Sequence, residues 1–246
     1  MIKRLKYLWL LGLMLFCTII QAQETGLYYN ALNSNSNRLS GKLQGEIYYI
    51  NVISSVNYFL QPDWEKGEIR LKDGDVFGEV QMKYNAYDDE LVAYNENNKT
   101  LFIVDKNTVQ EFIFYPEPGQ VGSRIRKFVN LDSLQLNNDR TFFEQLYLGS
   151  AMLLAFHKVE MKKTRLYTDS TGKLTDTEYE HKISYYYYSP QKGMVKIKLK
   201  NHSIQQIFPE QKKEIRKNLR KAKININNEG TAIHAFEVLD KSGFLK

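Results

Sequence analysis

Four histidines are the residues of this sequence best suited to acid–base chemistry or metal binding: His157, His181, His202 and His234. They are separated by 24, 21 and 32 positions. No pair therefore has the i, i+4 spacing that places two imidazoles on one side of a helix around zinc. A metal site assembled from distant strands is the alternative. The spacing favours isolated surface or core histidines, and we predict no metal site and no cofactor.

Motifs for nucleophilic catalysis and nucleotide binding are missing. Gly149-Ser150-Ala151 lacks the second glycine of a G-x-S-x-G elbow, and the sequence has no glycine-rich phosphate loop. The acidic stretches Asp73-Gly74-Asp75 and Asp88-Asp89-Glu90 do not continue into calcium-loop spacing, so we interpret both as hydrogen-bonding turns. We predict no catalytic residue. The alternative is a carbohydrate-active or other hydrolase, because a glycosidase needs only two carboxyl groups about 5–10 Å apart.

One segment of the chain is strongly basic. Its cations face away from an apolar helical stripe that contains Ile215 and Leu219, which gives a basic solvent face suited to anionic lipid head groups or an acidic protein patch. Lys213, Lys217 and Arg220 are the candidate contacts. The alternative is a solvated face whose long stems cover apolar surface. The cations are Lys212, Lys213, Arg216, Lys217, Arg220, Lys221 and Lys223.

Four consecutive tyrosines, residues 185–188, lie in a segment that reads as a strand. Side chains alternate across a strand, so two rings point to each face. One pair is expected in the core, and the other is either covered by C-terminal helices or presented outward. Outward rings could stack on a sugar or anchor a protein, and Tyr186 and Tyr188 are the candidates for such contacts.

The N-terminus has the pattern of a secretory signal peptide. Lys3, Arg4 and Lys6 precede an uncharged run over residues 7–20, and Ala22 provides a small residue at a cleavage site. The alternative is an uncleaved membrane anchor, which needs about 20 apolar residues. We predict export, to the periplasm, the outer membrane surface or the outside.

Removal of residues 1–22 changes the chemistry that the composition suggests. The three basic residues leave with the signal, so the formal charge falls from +6 to +3, and the single cysteine, Cys17, leaves as well. The mature chain then has no thiol for catalysis, metal ligation or disulfides. Its overall charge gives little reason to expect an anionic partner, and an exported protein without base-stacking motifs is not expected to bind nucleic acid.

The sequence pattern predicts that most of the chain forms β-strands. Apolar and polar residues alternate on both sides of Asp73-Gly74-Asp75, which predicts a hairpin, and similar short runs continue to about residue 200. They predict an antiparallel meander of about nine to eleven strands that forms a sandwich or barrel-like sheet. A polar insert is expected at residues 169–173.

After Asn201 the apolar spacing changes to that of a helix. Two amphipathic helices are predicted within about residues 203–241, one starting near Pro209 and one over residues 229–241, packed on the sheet. The predicted organisation is therefore a signal peptide (1–22), a flexible Asn/Ser-rich lead-in (23–45) and a single β-rich α+β domain (46–246).

The chain also resembles a group of exported, uncharacterised β-rich proteins of Bacteroidota. The resemblance rests on the Ala-Gln end of the signal peptide and on the order of patterns over roughly residues 60–240: Trp64-Glu65-Lys66-Gly67, the strand and turn of residues 69–74, the stretch 80–91, the Tyr-rich strand and the Lys-rich helix. It implies envelope localisation and a β-rich domain, and no assigned activity. We therefore predict a non-enzymatic binding or assembly module whose partner is an unknown envelope protein or glycan.

Overall fold

The computed structural model describes residues 43, 45–49, 58–96, 99–116, 124–131, 141–169 and 172–245. The predicted signal peptide and most of the predicted lead-in lie outside these residues. Within the described ranges, no helix has the length and apolar character needed to cross a membrane.

These residues form eleven strands followed by three helices. The strands are β1 (Gly45–Ile47), β2 (Glu65–Leu71), β3 (Val76–Asn85), β4 (Glu90–Asn95), β5 (Thr100–Val104), β6 (Val109–Phe114), β7 (Arg126–Asn130), β8 (Phe142–Leu148), β9 (Met152–Asp169), β10 (Gly172–Ser189) and β11 (Gly193–Ile197). The helices are α1 (Asn201–Ile207), α2 (Lys212–Lys221) and α3 (Glu229–Lys241). The predicted mainly β, α+β fold with C-terminal helices is confirmed.

All strands belong to one antiparallel sheet with the order β1-β5-β4-β3-β2-β6-β7-β8-β9-β10-β11. Two meanders, β2 to β5 and β6 to β11, meet where β2 pairs with β6. Within the described part of the chain, β1 and β11 do not pair with each other, so the sheet is open. The predicted hairpin is β2–β3, and Gly74 adopts a φ of 95° in its turn.

The hairpin of β9 and β10 is longer than the sequence pattern predicts. The two strands pair without a gap from Asp169↔Gly172 to Met152↔Tyr188, with one bulge at Glu178/Tyr179. The described residues of the predicted polar insert, 169, 172 and 173, therefore belong to the paired strands. Backbone pairing extends through polar residues there because each strand supplies the other's hydrogen-bond partners.

The sheet curls back on itself in its N-terminal half. β9 and β3 are separated by four strands in the sheet order, yet the Val159 N–H donates to the Ala86 carbonyl, in the turn after β3, at 2.9 Å. The curl encloses an aromatic core in which the rings of Phe112 and Phe128 stack 4.8 Å apart and Tyr84 lies 5.1 Å from Phe128. This half of the sheet therefore covers its own apolar side.

The helices cover the C-terminal half of the sheet. Tyr187 of β10 is buried beneath Phe208 and Phe236, and α2 inserts Ile215 and Leu219 into the same cluster. Three helices occur in these residues where two were predicted. Pro209 explains the difference, because a proline inside a helix removes a hydrogen bond and clashes with the preceding turn. The residues before it form α1 as a separate short helix.

Candidate functional site

A row of four polar side chains crosses four neighbouring strands between the two cores. Arg126, Glu144, His157 and His181 lie on β7, β8, β9 and β10 in turn. The strand registers pair Phe128 with Glu144, Glu144 with Ala155, and His157 with Ile183. Each member of the row is therefore a diagonal neighbour of the next on one face of the sheet, within reach of a long side chain.

Glu144 is the centre of this row. Its side chain is only 2% exposed. Arg126 donates from Nε to Oε1 at 3.1 Å and from Nη2 to Oε2 at 2.8 Å, and Arg124 donates from Nη2 to Oε1 at 3.0 Å. His157 Nε2 lies 2.6 Å from Oε2. A buried carboxylate is stable only when it is paired and hydrogen-bonded, and four nitrogens from three side chains meet that requirement.

These contacts determine the ionisation of Glu144. Burial alone would raise the pKa of its carboxyl, but the hydrogen bonds from His157 and Arg126 and their charges lower the pKa to about 2. Glu144 is thus a fixed anion at any pH near neutral. It can orient and stabilise cations, and it cannot donate a proton as a general acid.

The two histidines form a directed chain that starts at Glu144. A carboxylate can only accept, so His157 Nε2 carries the proton that faces it. His181 Nε2 lies 3.2 Å from His157 Nδ1, with the two rings stacked 5.2 Å apart, so one of these two nitrogens carries the proton of the hydrogen bond that joins them. The chain ends at His181 Nδ1, on a residue that is exposed.

Protonation of His181 is opposed by its surroundings. Burial lowers the pKa of His181, and the charges of His157 and Arg126 lower it further. The ring is therefore predominantly neutral at neutral pH, which suits the chain of hydrogen bonds described above.

The row opens into a concave pocket of about 400 Å³. Arg124 and Glu229, the first residue of α3, stand at its side and pair at 2.8 Å. A wider groove of about 970 Å³ shares Arg124, Ile183 and Glu229 with the pocket. Glu144 is the one buried acid among the described residues that line the pocket.

The prediction that all four histidines are isolated was wrong for His157 and His181. They are 24 positions apart in the sequence, and the register of β9 and β10 makes them neighbours. A usable signal existed: Glu144 and His157 occupy the same face as the buried Phe142 and Val159. A charged or polar residue at an inward position of an alternating strand points to a buried polar cluster.

No metal is indicated at this row. Among the residues that the structure describes, no group of three or more His, Cys, Asp and Glu side chains is placed to hold a metal ion.

The second buried acid, Asp89, lies beside the aromatic core that contains Tyr84 and Phe142. Its carboxylate accepts from Tyr84 Oη at 2.7 Å and from the Phe142 N–H at 3.3 Å, and it pairs with Lys106.

The two acidic stretches are turns, as predicted. In the first, the Asp75 N–H donates to Asp73 Oδ1 at 3.1 Å. In the second, Asn85 Oδ1 accepts from the Tyr87 N–H at 3.0 Å, and Asp89 adopts a φ of 58°. Both patterns are side-chain mimics of backbone turns.

The basic residues lie on α2 as a solvent face. Ile215 and Leu219 are buried. We call the six exposed cations on α2 the α2 surface; no described residue forms an ion pair with any of them. They are Lys212, Lys213, Arg216, Lys217, Arg220 and Lys221.

The four tyrosines alternate as predicted. Tyr185 and Tyr187 face the helices, and Tyr185 Oη donates to Glu229 Oε1 at 3.0 Å. Tyr186 and Tyr188 lie on the opposite face, half-buried beside Phe143 and Leu154, with Lys196 above the ring of Tyr186. The structure does not bring these two rings together with the α2 surface in one cluster, because they belong to different faces.

No protein family, no curated protein and no solved structure matches the chain.

Proposed function

We propose that this protein is an exported, non-enzymatic binding module of the cell envelope, and that the α2 surface binds anionic lipid head groups. Export is inferred from the sequence pattern of residues 1–22. The observation that carries the binding proposal is the set of six exposed cations on α2 without an acidic partner among the described residues.

The shape of α2 supports contact with a surface. Its apolar side is held in the core by Ile215 and Leu219, so the helix does not need to insert apolar residues into a bilayer. What remains is a rigid row of cations about ten residues long. Each Lys or Arg near an anionic membrane surface contributes about 1 kcal/mol of attraction.

Vesicle binding tests this proposal. Lys213→Gln, Lys217→Gln and Arg220→Gln together are expected to weaken binding to phosphatidylglycerol vesicles about 100-fold, since three charges contribute about 3 kcal/mol. Lys66→Gln, Lys72→Gln and Lys99→Gln, three exposed lysines of the N-terminal half, form the control and should change binding little. Equal loss in both variants, or equal binding to phosphatidylcholine vesicles, would reject the lipid surface. An envelope protein or glycan would then be the partner if the α2 variant still failed to associate with envelope fractions.

Export is tested separately. Mass spectrometry of the protein from its native host should find an N-terminus at Gln23, the residue after the cleavage site. An intact Met1 terminus on envelope-bound protein would favour the uncleaved anchor.

The alternative function was a hydrolase with dispersed carboxylates. A glycosidase requires one carboxyl that carries a proton near neutral pH. Glu144, whose pKa is about 2, does not meet this requirement, and its oxygens are already occupied by Arg124, Arg126 and His157. These contacts argue against Glu144 as the acid of such an enzyme.

A further inference from the structure

The pocket holds more hydrogen-bond donors than its one buried carboxylate requires. Two guanidinium groups and an imidazole converge on Glu144. Arg126 uses Nε and Nη2 on the two oxygens of Glu144, whereas Arg124 uses only Nη2, which is shared between Glu144 and Glu229. Its Nε and Nη1 have no partner among the described residues, and its side chain is 44% exposed. Arg124 is therefore available to an incoming group.

His181 supplies a second contact for the same group. Its Nε2 is committed to His157, so when the pair carries one added proton, His181 Nδ1 bears an N–H that faces away from His157, whichever ring holds the charge. Because the rings lie 3.2 Å apart at their nearest nitrogens, a charge on one ring opposes a charge on the other, and the pair takes up one proton.

The charges around the pocket link binding to that proton. Arg126 and Arg124 are already paired with Glu144 and Glu229, so with both rings neutral an anion entering the pocket finds no unpaired cation among the described residues that line it. One proton on the histidine pair adds a positive charge. The charged groups facing the pair are Glu65 from β2, Arg124 from the segment before β7, Arg126 from β7, Glu144 from β8 and Glu229 from α3.

We propose that this pocket binds a small oxyanion, a carboxylate, phosphate or sulfate group, on Arg124 and His181, together with one proton. Paired guanidinium contacts and an imidazolium are the groups that recognise such oxygens. Without a ligand, the carboxylate of Glu229 occupies the position beside Arg124 that the oxyanion would take. The site lies apart from the α2 surface and does not depend on its function.

Sulfate is a suitable probe because its charge is constant over the range in which histidine titrates. It should be titrated into protein that carries the three α2 substitutions, so that the α2 surface contributes no binding. We expect sulfate to bind about tenfold more tightly at about pH 5.5 than at about pH 8, the effect of one added charge in close contact. The ring resonances of His157 and His181 should shift during the titration.

Two variants locate the site. Arg124→Gln should weaken sulfate binding at least about tenfold, while Arg70→Gln, which removes an arginine of equal exposure, should leave it unchanged. His181→Gln should abolish the pH dependence, while His234→Gln, on the exposed side of α3, should preserve it.

The proposal fails if wild-type protein shows no sulfate-dependent shift of the two histidine resonances. It also fails if Arg70→Gln weakens binding as much as Arg124→Gln does, or if the pH dependence persists in His181→Gln. None of these outcomes bears on vesicle binding by the α2 surface.

Discussion

The protein carries two groups of cations that differ in how their charge is compensated. In the pocket, Arg124 and Arg126 surround a carboxylate that is 2% exposed, and every charge has a partner on a neighbouring element. On α2, six cations point into solvent and none pairs with a described acid. Buried charges must be paired before the chain can fold, whereas exposed cations are solvated by water and stay available. We therefore expect the first group to control stability and the second to control association.

The largest effect is expected at Glu144. Glu144→Gln leaves Arg126 without a counter-charge and leaves Arg124 with Glu229 alone, and it should lower the free energy of unfolding by about 3 kcal/mol, measured by urea denaturation. Glu160→Gln is the control, because Glu160 pairs with Lys182 across exposed strands, and its unfolding midpoint should match that of the wild type. Equal unfolding midpoints for all three proteins would contradict the conclusion that the contacts of Glu144 stabilise the fold.

The same residue predicts how stability depends on acid. The pKa of Glu144 falls from an ordinary 4.5 to about 2 on folding, so its stabilising contribution is complete above about pH 4.5 and is lost as the pH falls towards 2. Wild-type protein should therefore lose stability over this range more steeply than Glu144→Gln. Parallel curves for the two proteins would show that the carboxylate is not the group that is protonated.

A smaller effect is expected at His181. Its pKa is lowered in the folded protein, so the unfolded chain binds the proton more readily. Stability from this group is present above the ordinary pKa of 6.5 and declines as the pH falls through the lowered value. His181→Gln should flatten the stability profile just below pH 6.5. Added sulfate should oppose the decline in the wild type, because it favours the protonated pocket.

The smallest change in stability is expected on α2. Lys213→Gln, Lys217→Gln and Arg220→Gln together should alter the free energy of unfolding by less than about 0.5 kcal/mol, the usual range for surface positions. The measurement is again denaturant unfolding. A large loss would mean that the stems of these residues cover apolar surface and that the charge is incidental, which was the alternative interpretation of this segment.

The two halves of the sheet explain which parts of the fold could be predicted. β2 and β3 form the hairpin predicted from alternation around Asp73-Gly74-Asp75, and α3 has the predicted bounds, with Asn228 capping it through the Thr231 N–H. These features depend on neighbours along the chain. The curl that brings Val159 to Ala86 could not be predicted, because it depends on the twist accumulated over many strands.

The candidate sites divide in the same way. The α2 surface was predicted because its residues are close in sequence and share one side of one helix. The pocket was not, because its members come from positions 124 to 229. Spacing rules that detect metal or catalytic motifs apply to residues of one helix or loop, and they do not detect diagonal neighbours on four different strands.

The sequence by itself determined the hairpin of β2 and β3, the position of α3 and the basic face of α2. All of these follow from local alternation, turn chemistry and charge. Only the tertiary structure decided that Arg126, Glu144, His157 and His181 meet. Strand register placed them on one diagonal, and burial between two cores required each charge among them to find its partner.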